Sequence, residues 1–293
     1  MKHFRILIFF FVLNLSSIYA QSREGDTIVS TYVSIKQYRT MNFGPLQKID
    51  SLNLKYTEND TLVLLTNRPR PHGRLVPYTY KDSTFLNLYA RTAFGIRNDS
   101  TDNMRITRYW KKPINIFFAR HLEKNVKREF KRFVNTISND IDSLSVNYVS
   151  KVEASNYIIY TNKDYDYESQ INKNNNSGFY IYWKGSAIDK CAVRINSDVY
   201  FSKKLQLMEM QRLFVQSLGY FKMLNELPCE SYFSSCQSQE KRLTKLDVEF
   251  LKYHYGYGIC KGISYENFQS LHRELKGKLK SNLYSKVFFF FPY

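Results

Sequence analysis

After its first twenty residues this chain has no apolar run long enough to cross a bilayer, because charged side chains interrupt every later segment. Even the closing Val287–Phe291 run is far too short to span. Other absences narrow the chemistry. No H-x₃-H or C-x₂-C pair is present to hold zinc. No G-x-S-x-G elbow exposes a serine nucleophile, and neither a P-loop nor a dinucleotide glycine fingerprint occurs. Internal repeats are also lacking, and Asn174-Asn175-Asn176 is the only low-complexity patch. These gaps remove the usual sequence signatures of metallohydrolases, serine hydrolases and nucleotide enzymes.

What is present begins with an export signal. Lys2 and Arg5 supply a positive start, Ile6 to Leu13 are almost wholly apolar, and Ser16-Ser17-Ile18-Tyr19-Ala20 offers small residues for cleavage before Gln21. The pattern predicts a signal peptide over residues 1–20 and a periplasmic or extracellular destination. No cysteine lies near Ala20 to carry a lipid. Removing Lys2 and Arg5 lowers the net charge from +17 to +15. A basic surface of this kind attracts polyanions. The lysines are spread along the chain, however, as in ordinary soluble exported proteins, and nothing marks a specific nucleic-acid site.

All four cysteines, Cys191, Cys229, Cys236 and Cys260, fall in the C-terminal half. An even count in an oxidising compartment predicts two disulfides, with three pairings open. Cys229–Cys236 would close a short loop, and Cys191–Cys260 would then tie a strand to the C-terminal region.

Residues 21–83 hold strand-like runs at Thr27–Val33 and Thr61–Leu65 that end in the breaker-rich Arg68-Pro69-Arg70-Pro71-His72-Gly73. They are read as a β-rich N-terminal extension with a linker. Phe85–Ala93 looks helical and Pro113–Phe118 reads as a buried strand. Leu122, Val126, Phe130, Phe133, Val134, Ile137, Ile141 and Leu144 recur at helical spacing, opposite a basic stripe of Lys124, Lys127, Arg128, Lys131 and Arg132. Strands are expected at Ser145–Val149, Asn156–Thr161, Phe179–Trp183 and Cys191–Ile195, with a polar loop over Asn162–Gly178. Lys204–Leu218 is apolar on most sides and so predicts a buried helix ending at Gly219. A last helix is expected over Leu243–Tyr255, capped by Thr244 or Ser238, with Asp247 in its first turn. Residues 271–293 are read as a C-terminal tail.

This order of strand, long helix, several strands and a buried helix ending in glycine resembles the catalytic domain of metzincin zinc peptidases. Those enzymes carry H-E-x-x-H-x-x-G-x-x-H, in which the histidines grip zinc and the glutamate activates its water. With the glycine placed at Gly219, the ligand positions fall on Arg212, Gln216 and Lys222, and the glutamate position on Leu213. A guanidinium does not ligate a metal, lysine does so only at high cost, and leucine is no base. The chain is similar more closely to the DUF2927 family of exported bacterial proteins, a metzincin relative with a decayed zinc motif. Gln216-Ser217-Leu218-Gly219-Tyr220 resembles its Q-A-L-G-L stretch, and Tyr109-Trp110 before Pro113 resembles its R-W-x-x-P approach to the first strand. Ser231-Tyr232-Phe233, Leu243-Thr244-Lys245-Leu246-Asp247 and Lys261-Gly262-Ile263-Ser264 resemble its S-I-F, L-T-x-x-D and P-G-M-S elements. The likeness covers roughly residues 85–268. It departs from the family where Arg212-Leu213 replace paired glutamates.

The resemblance implies an α/β (α+β) domain over residues 84–270. Its features would be a metzincin-like mixed sheet, a long backing helix and a buried former active-site helix. It also implies that Tyr180, Tyr182 and Trp183 lie on the edge strand beside the old cleft, and that His254 packs near it. The 24 tyrosines suit peptide or sugar contact. Asp164, Asp166 and Glu168 alternate with tyrosines but lack the glycine and distal glutamate of a calcium loop, which predicts a solvated loop. The expectation is therefore a non-catalytic binding or scaffold module in the cell envelope. It would need no metal or cofactor and would engage a protein or glycan partner, with a polyanion as a further possibility. The competing expectation is a divergent metallopeptidase that draws ligands from elsewhere, such as His254 with acidic loop residues.

Overall fold

The computed structural model describes residues 26–40, 45–46, 54–56, 61–65, 73–96, 105–141, 143–171, 177–256, 259, 261–281 and 286–292. The signal read at residues 1–20, His72, the Asn-rich patch and Cys260 lie outside them.

The chain is mixed α/β, as its periodicities predict. The strands that carry most of the structure are β6 (Ile114–Phe118), β7 (Val146–Val149), β8 (Tyr157–Thr161), β9 (Gly178–Lys184) and β10 (Ala187–Ile195), with a short β5 at Tyr109–Trp110. They form a six-stranded sheet in which β7, β6, β8 and β10 are adjacent and parallel. Two-residue β5 also runs parallel to β10, beside Ala187 and Ile188. β9 alone is antiparallel, and among the described strands it pairs only with β10. Parallel neighbours need crossover connections, and a helix is the usual one. The crossover between β6 and β7 is α3 (Lys124–Asp140), whose Val126, Phe130, Val134 and Ile137 are buried while the basic stripe stays on its other side. Lys127 donates to the Ala119 carbonyl and the Lys131 ammonium lies 4.6 Å from the Tyr148 ring centroid, so parts of that stripe are already engaged within the protein.

Helix α4 (Lys203–Gly219) packs on the same side as α3 and supplies Leu213, Phe214, Val215 and Leu218 to the main core. The Ser202 side chain accepts from the Leu205 N–H at its start. Its last carbonyls are held from outside the helix. The Trp110 indole N–H donates to the Ser217 carbonyl at 3.2 Å, and the Tyr255 hydroxyl donates to that of Leu218 at 2.5 Å. Both groups would otherwise be buried without partners. Helix α5 (Lys245–Tyr255) opens with a capping box between Thr244 and Asp247, which settles Thr244 rather than Ser238 as the cap. An aromatic cluster joins it to α2 (Ser83–Phe94): Tyr89 and Tyr253 meet edge to face at 4.7 Å, and Phe85 and Phe250 at 5.2 Å.

Two expectations about the ends of the chain need correction. The residues read as a C-terminal tail from 271 onward are structured, because α6 spans Tyr265–Ser281 and strand β11 spans Lys286–Pro292. The residues read as an N-terminal extension do form strands, β1 (Asp26–Ser34), β2 (Lys55–Tyr56), β3 (Thr61–Leu65) and β4 (Gly73–Pro77), along with the short helix α1 (Ile35–Thr40). Their sheet is completed by the other terminus, since β11 sits between β1 and β4, antiparallel to both. Backbone pairing between the two ends explains why neither run is a free extension. Gly73, read as the end of a linker, is the first residue of β4 and pairs with Pro292.

Candidate functional site

The site begins with one face of α4. Residues 209, 212 and 216 recur at spacings of three and four and so share a side of the helix. Glu209 is only 2 % exposed, and its carboxylate takes two hydrogen bonds from the Arg212 guanidinium, at 2.7 Å from Nε and 2.6 Å from Nη2. Arg212 Nη1 donates to Gln216 Oε1 at 3.3 Å. Burial alone would lower the Arg212 pKa, but the Glu209 pairing outweighs it and holds the guanidinium firmly charged. The polar face is thus closed on itself. Arg212 and Gln216, two of the positions aligned with the zinc motif, come together in space, with Arg212 bonded to Glu209 and to the Gln216 amide oxygen. The Leu213 side chain is buried in the core.

Gly219 and Lys222 sit differently from the motif layout. Gly219 is the last helical residue, and the left-handed turn that follows is made by Tyr220, with φ 54°. Gly219 is needed for another reason. A Cβ there would penetrate the Phe221 ring, whose edge packs directly on the helix backbone. The Lys222 ammonium lies 4.2 Å from the Tyr220 ring centroid, and its backbone N–H donates to the Thr92 carbonyl. It does not face Gln216 as a third ligand would.

Strand β9 separates the remaining candidates. Side chains alternate along a strand, so Phe179, Ile181 and Trp183 point toward α4 while Tyr180 and Tyr182 point to the reverse face of the sheet. Ile181 is buried in the main core. The Trp183 ring lies 5.6 Å from Tyr220, with the Arg108 guanidinium 4.5 Å from its centroid, and Phe179 meets Tyr220 at 6.3 Å. Arg108 also donates to the Gly185 carbonyl. Tyr180 and Tyr182 contact each other at 5.0 Å. The three aromatic candidates therefore do not line one cleft. Trp183 stands at the end of α4, and the two tyrosines lie across the sheet from it.

His254 is not a cleft residue. It is 2 % exposed, with Nε2 at 2.7 Å from the Arg108 carbonyl and Nδ1 at 2.9 Å from the Tyr89 hydroxyl. A carbonyl only accepts, so Nε2 carries the proton and Nδ1 receives the tyrosine O–H. Burial lowers its pKa to about 4 and keeps the ring neutral. Both ring nitrogens are occupied, so His254, the example named for a divergent peptidase site, is not free to take a metal in this arrangement. His272 is placed similarly, between Tyr78 and Tyr253 at 3.1 and 2.7 Å.

The acidic loop also differs from its expectation. Asp164 accepts from the backbone and ring nitrogens of His121 and from the backbone and hydroxyl of Thr161. Burial pushes its pKa up, but these bonds prevail and lower it. Asp166 accepts from the Tyr160 hydroxyl, and Glu168 is buried, accepting from the Gln170 N–H. The loop folds onto the sheet rather than standing in solvent, and its carboxylates do not converge. Among the described residues no three His, Cys, Asp or Glu side chains are placed to hold a metal ion.

Cys229 and Cys236 form the expected disulfide, with Cα atoms 5.1 Å apart. Cys191 does not join a second one. It is a free thiol buried on β10, where it faces Tyr157 and Ser217 and burial pushes its pKa well up. Its position in the middle of the strand turns the sulfur into the core, away from any cross-link at the surface. The bridge drawn from it to Cys260 is absent at the Cys191 end.

Sequence reasoning missed Glu209, Arg108 and Tyr220. Glu209 lies three residues before Arg212, a spacing that by itself signals a helical ion pair. Arg108 and Tyr220 carried no such local signal, because they meet Trp183 only through the tertiary fold.

Fold and site together define an α/β domain with an exposed antiparallel edge strand beside a helix whose polar face is internally satisfied. No protein-family model matches the chain, and no curated protein matches it. No helix among the described residues is long and apolar enough to cross a membrane.

Proposed function

We propose that this is an exported, non-catalytic binding module of metzincin-like design whose working surface is the β9 edge and the Trp183 cluster. The observation that carries the reading is the state of β9. It is an outer strand with one hydrogen-bonded side, it bears exposed aromatic rings, and it lies next to a helix that has no catalytic group to offer. An open strand edge is a template for an extended chain, in which main-chain hydrogen bonds give affinity and flanking side chains give selectivity. Trp183, clamped between Arg108 and Tyr220, offers a rigid amphipathic ring for that role.

Two further features support a metzincin ancestry without catalysis. The strand succession β7-β6-β8-β10-β9, antiparallel only at the last position, suits a domain that binds an extended chain along its edge. Of the three positions aligned with zinc ligands, Arg212 pairs with Glu209 and donates to the Gln216 amide oxygen, and Lys222 lies against Tyr220. The partner class that fits is an extended peptide segment.

Selection of binding peptides from a random displayed library tests the proposal. The selected peptides should lose at least tenfold in affinity on Trp183→Ala and also on N-methylation of alternate peptide nitrogens. Affinity indifferent to both changes would remove the β9 edge as the working surface. Elemental analysis of the tag-free mature protein should find no stoichiometric zinc. A full equivalent that chelators remove, together with chelator-sensitive peptide cleavage, would replace this reading with the peptidase one.

A further inference from the structure

The reverse face of the six-stranded sheet holds a feature that the β9 reading does not use. The loop after β8 covers only part of this face, through a small cluster of Ala119, Tyr160, Ile171 and Ala192. Beyond it a cavity of about 540 Å³ opens, which lies within the size range of small-molecule sites. Its floor is the outward side of β8 and β10, with Ile158 and Ala192, and Tyr167 and Tyr182 flank it. The 3₁₀ turn at Val152–Ala154 brings Glu153, the loop brings Glu168, and β10 brings Asp189.

The charge of this lining runs against the rest of the molecule. The chain carries a surplus of +17, yet the cavity has three carboxylates and one ammonium, that of Lys190. One carboxylate, Asp189, is shared with Lys112 at 3.5 Å across an exposed pair, which screening makes weak. Glu168 is the buried member. Its carboxylate accepts from the Gln170 N–H at 2.9 Å, and its nearness raises the pKa of the Tyr182 phenol above the ordinary value. The Asn156 amide is already engaged at both ends, its oxygen accepting from the Asn115 N–H and its nitrogen donating to the Pro113 carbonyl. The groups left to meet a ligand are chiefly acidic oxygens, tyrosine faces and an apolar floor, with the Lys190 ammonium the one opposing charge. That combination suits a positive charge on an apolar or ring body, through charge-assisted hydrogen bonds to the carboxylates and attraction to the aromatic faces.

We infer that the cavity between Tyr167, Tyr182 and the Glu153–Glu168 carboxylates is a binding site for a small organic ammonium. The inference is separate from the β9-edge proposal, because Trp183 and α4 lie across the sheet.

Calorimetric titration of the full mature protein with benzylamine and with benzyl alcohol tests it, since the two probes match in shape and differ in charge. Benzylamine should bind at least tenfold more tightly, and Glu153→Gln, an exposed and conservative change, should reduce that preference at least fivefold. Tyr182→Ala should weaken benzylamine by a similar factor. Equal affinity for the two probes would overturn the inference. So would no measurable binding of either, or a preference that survives Glu153→Gln and Tyr182→Ala intact. N-acetyl-lysinamide as a third probe names the source: binding as tight as benzylamine assigns a lysine side chain, and weaker binding assigns a free amine. Trp183→Ala should leave benzylamine affinity unchanged, and a tenfold loss there would overturn the placement on the reverse face.

Discussion

The two faces of the six-stranded sheet are built to different standards. The face toward α3 and α4 is closed by interlocking side chains, with Phe214 meeting Phe130 at 5.5 Å and Tyr157 at 5.7 Å, both edge to face. Several of its buried polar groups are paired: Trp110 and Tyr255 hold the end of α4, and the Tyr157 hydroxyl lies 2.8 Å from Ser217 Oγ. Among the described residues, the reverse face is covered by a smaller cluster of Ala119, Tyr160, Ile171 and Ala192, and a cavity opens beside it. The helix-covered side thus carries most of the packing that fixes the strands, and the reverse side carries the open cavity. The loop-covered side can vary its lining without disturbing the core that holds the strands in register.

The sharpest test of that division compares core truncations. Phe214→Ala removes a fully buried ring from the helix side and should cost about 3–5 kcal/mol in urea denaturation. Ile171→Ala removes a buried side chain from the small cluster on the other face and should cost only about 1–2 kcal/mol, because a loop can settle into the space more readily than packed helices can. Equal losses would mean that the loop is as integral to the core as α4 is.

Acid provides the second test. His254 and His272 are both neutral in the fold, with pKa values lowered by burial from 6.5 to about 4. Folding therefore excludes protons that the unfolded chain would bind between those values. The stabilising contribution is complete above pH 6.5 and is lost as pH falls toward 4, by roughly 3 kcal/mol for each histidine at the limit. Both rings join α5 to its neighbours on the helix side, so that side should loosen first in acid. The slope of stability against pH between 6.5 and 4 should fall by about half in His254→Gln, whose amide can still donate to the Arg108 carbonyl. An unchanged slope would show that His254 is already charged or solvated in the fold.

Much of the helix-covered face is legible in the primary structure. The spacing of Val126, Phe130, Val134 and Ile137 marks α3, and the apolar character of Leu213 to Leu218 marks a buried helix. These elements announce themselves because their burial repeats with the helical period. The union of the chain ends is not legible: β1 and β11 pair across more than 250 residues, and nothing local in either strand identifies its partner. Helix α6 did carry a signal in Phe268, Leu271 and Leu275, obscured by its many charges and by Gly277. The candidate site is half legible. That Arg212, Leu213 and Gln216 offer no zinc-ligand set and no general base follows from their identities alone. The side of the sheet on which Tyr182 and Trp183 fall does not, because alternation gives two faces and only packing tells which one α4 covers. The same holds for Gly219, which has the identity of a helix stop but serves to let the Phe221 ring close, while Tyr220 takes the left-handed turn.

The smallest expected effect concerns the polar face of α4, and it separates a structural ion pair from a retained binding group. Glu209→Ala alone strands the Arg212 guanidinium beside a cavity and should cost about 2–3 kcal/mol, somewhat less than a fully buried pair because Arg212 keeps a quarter of its side chain in water. Replacing both partners at once, with Glu209→Leu and Arg212→Met, removes two desolvation penalties along with one attraction and should change stability by less than about 1 kcal/mol. The double-mutant cycle then yields a coupling comparable to the single loss, as expected of groups that serve chiefly each other. Peptide affinity at the β9 edge should follow the same rule and stay within about twofold of the parent, since Trp183 is held by Arg108 and Tyr220 rather than by this pair. If the double variant folds normally and peptide binding nevertheless collapses, Arg212 is a contact residue, and the working surface extends from the strand edge down onto the helix.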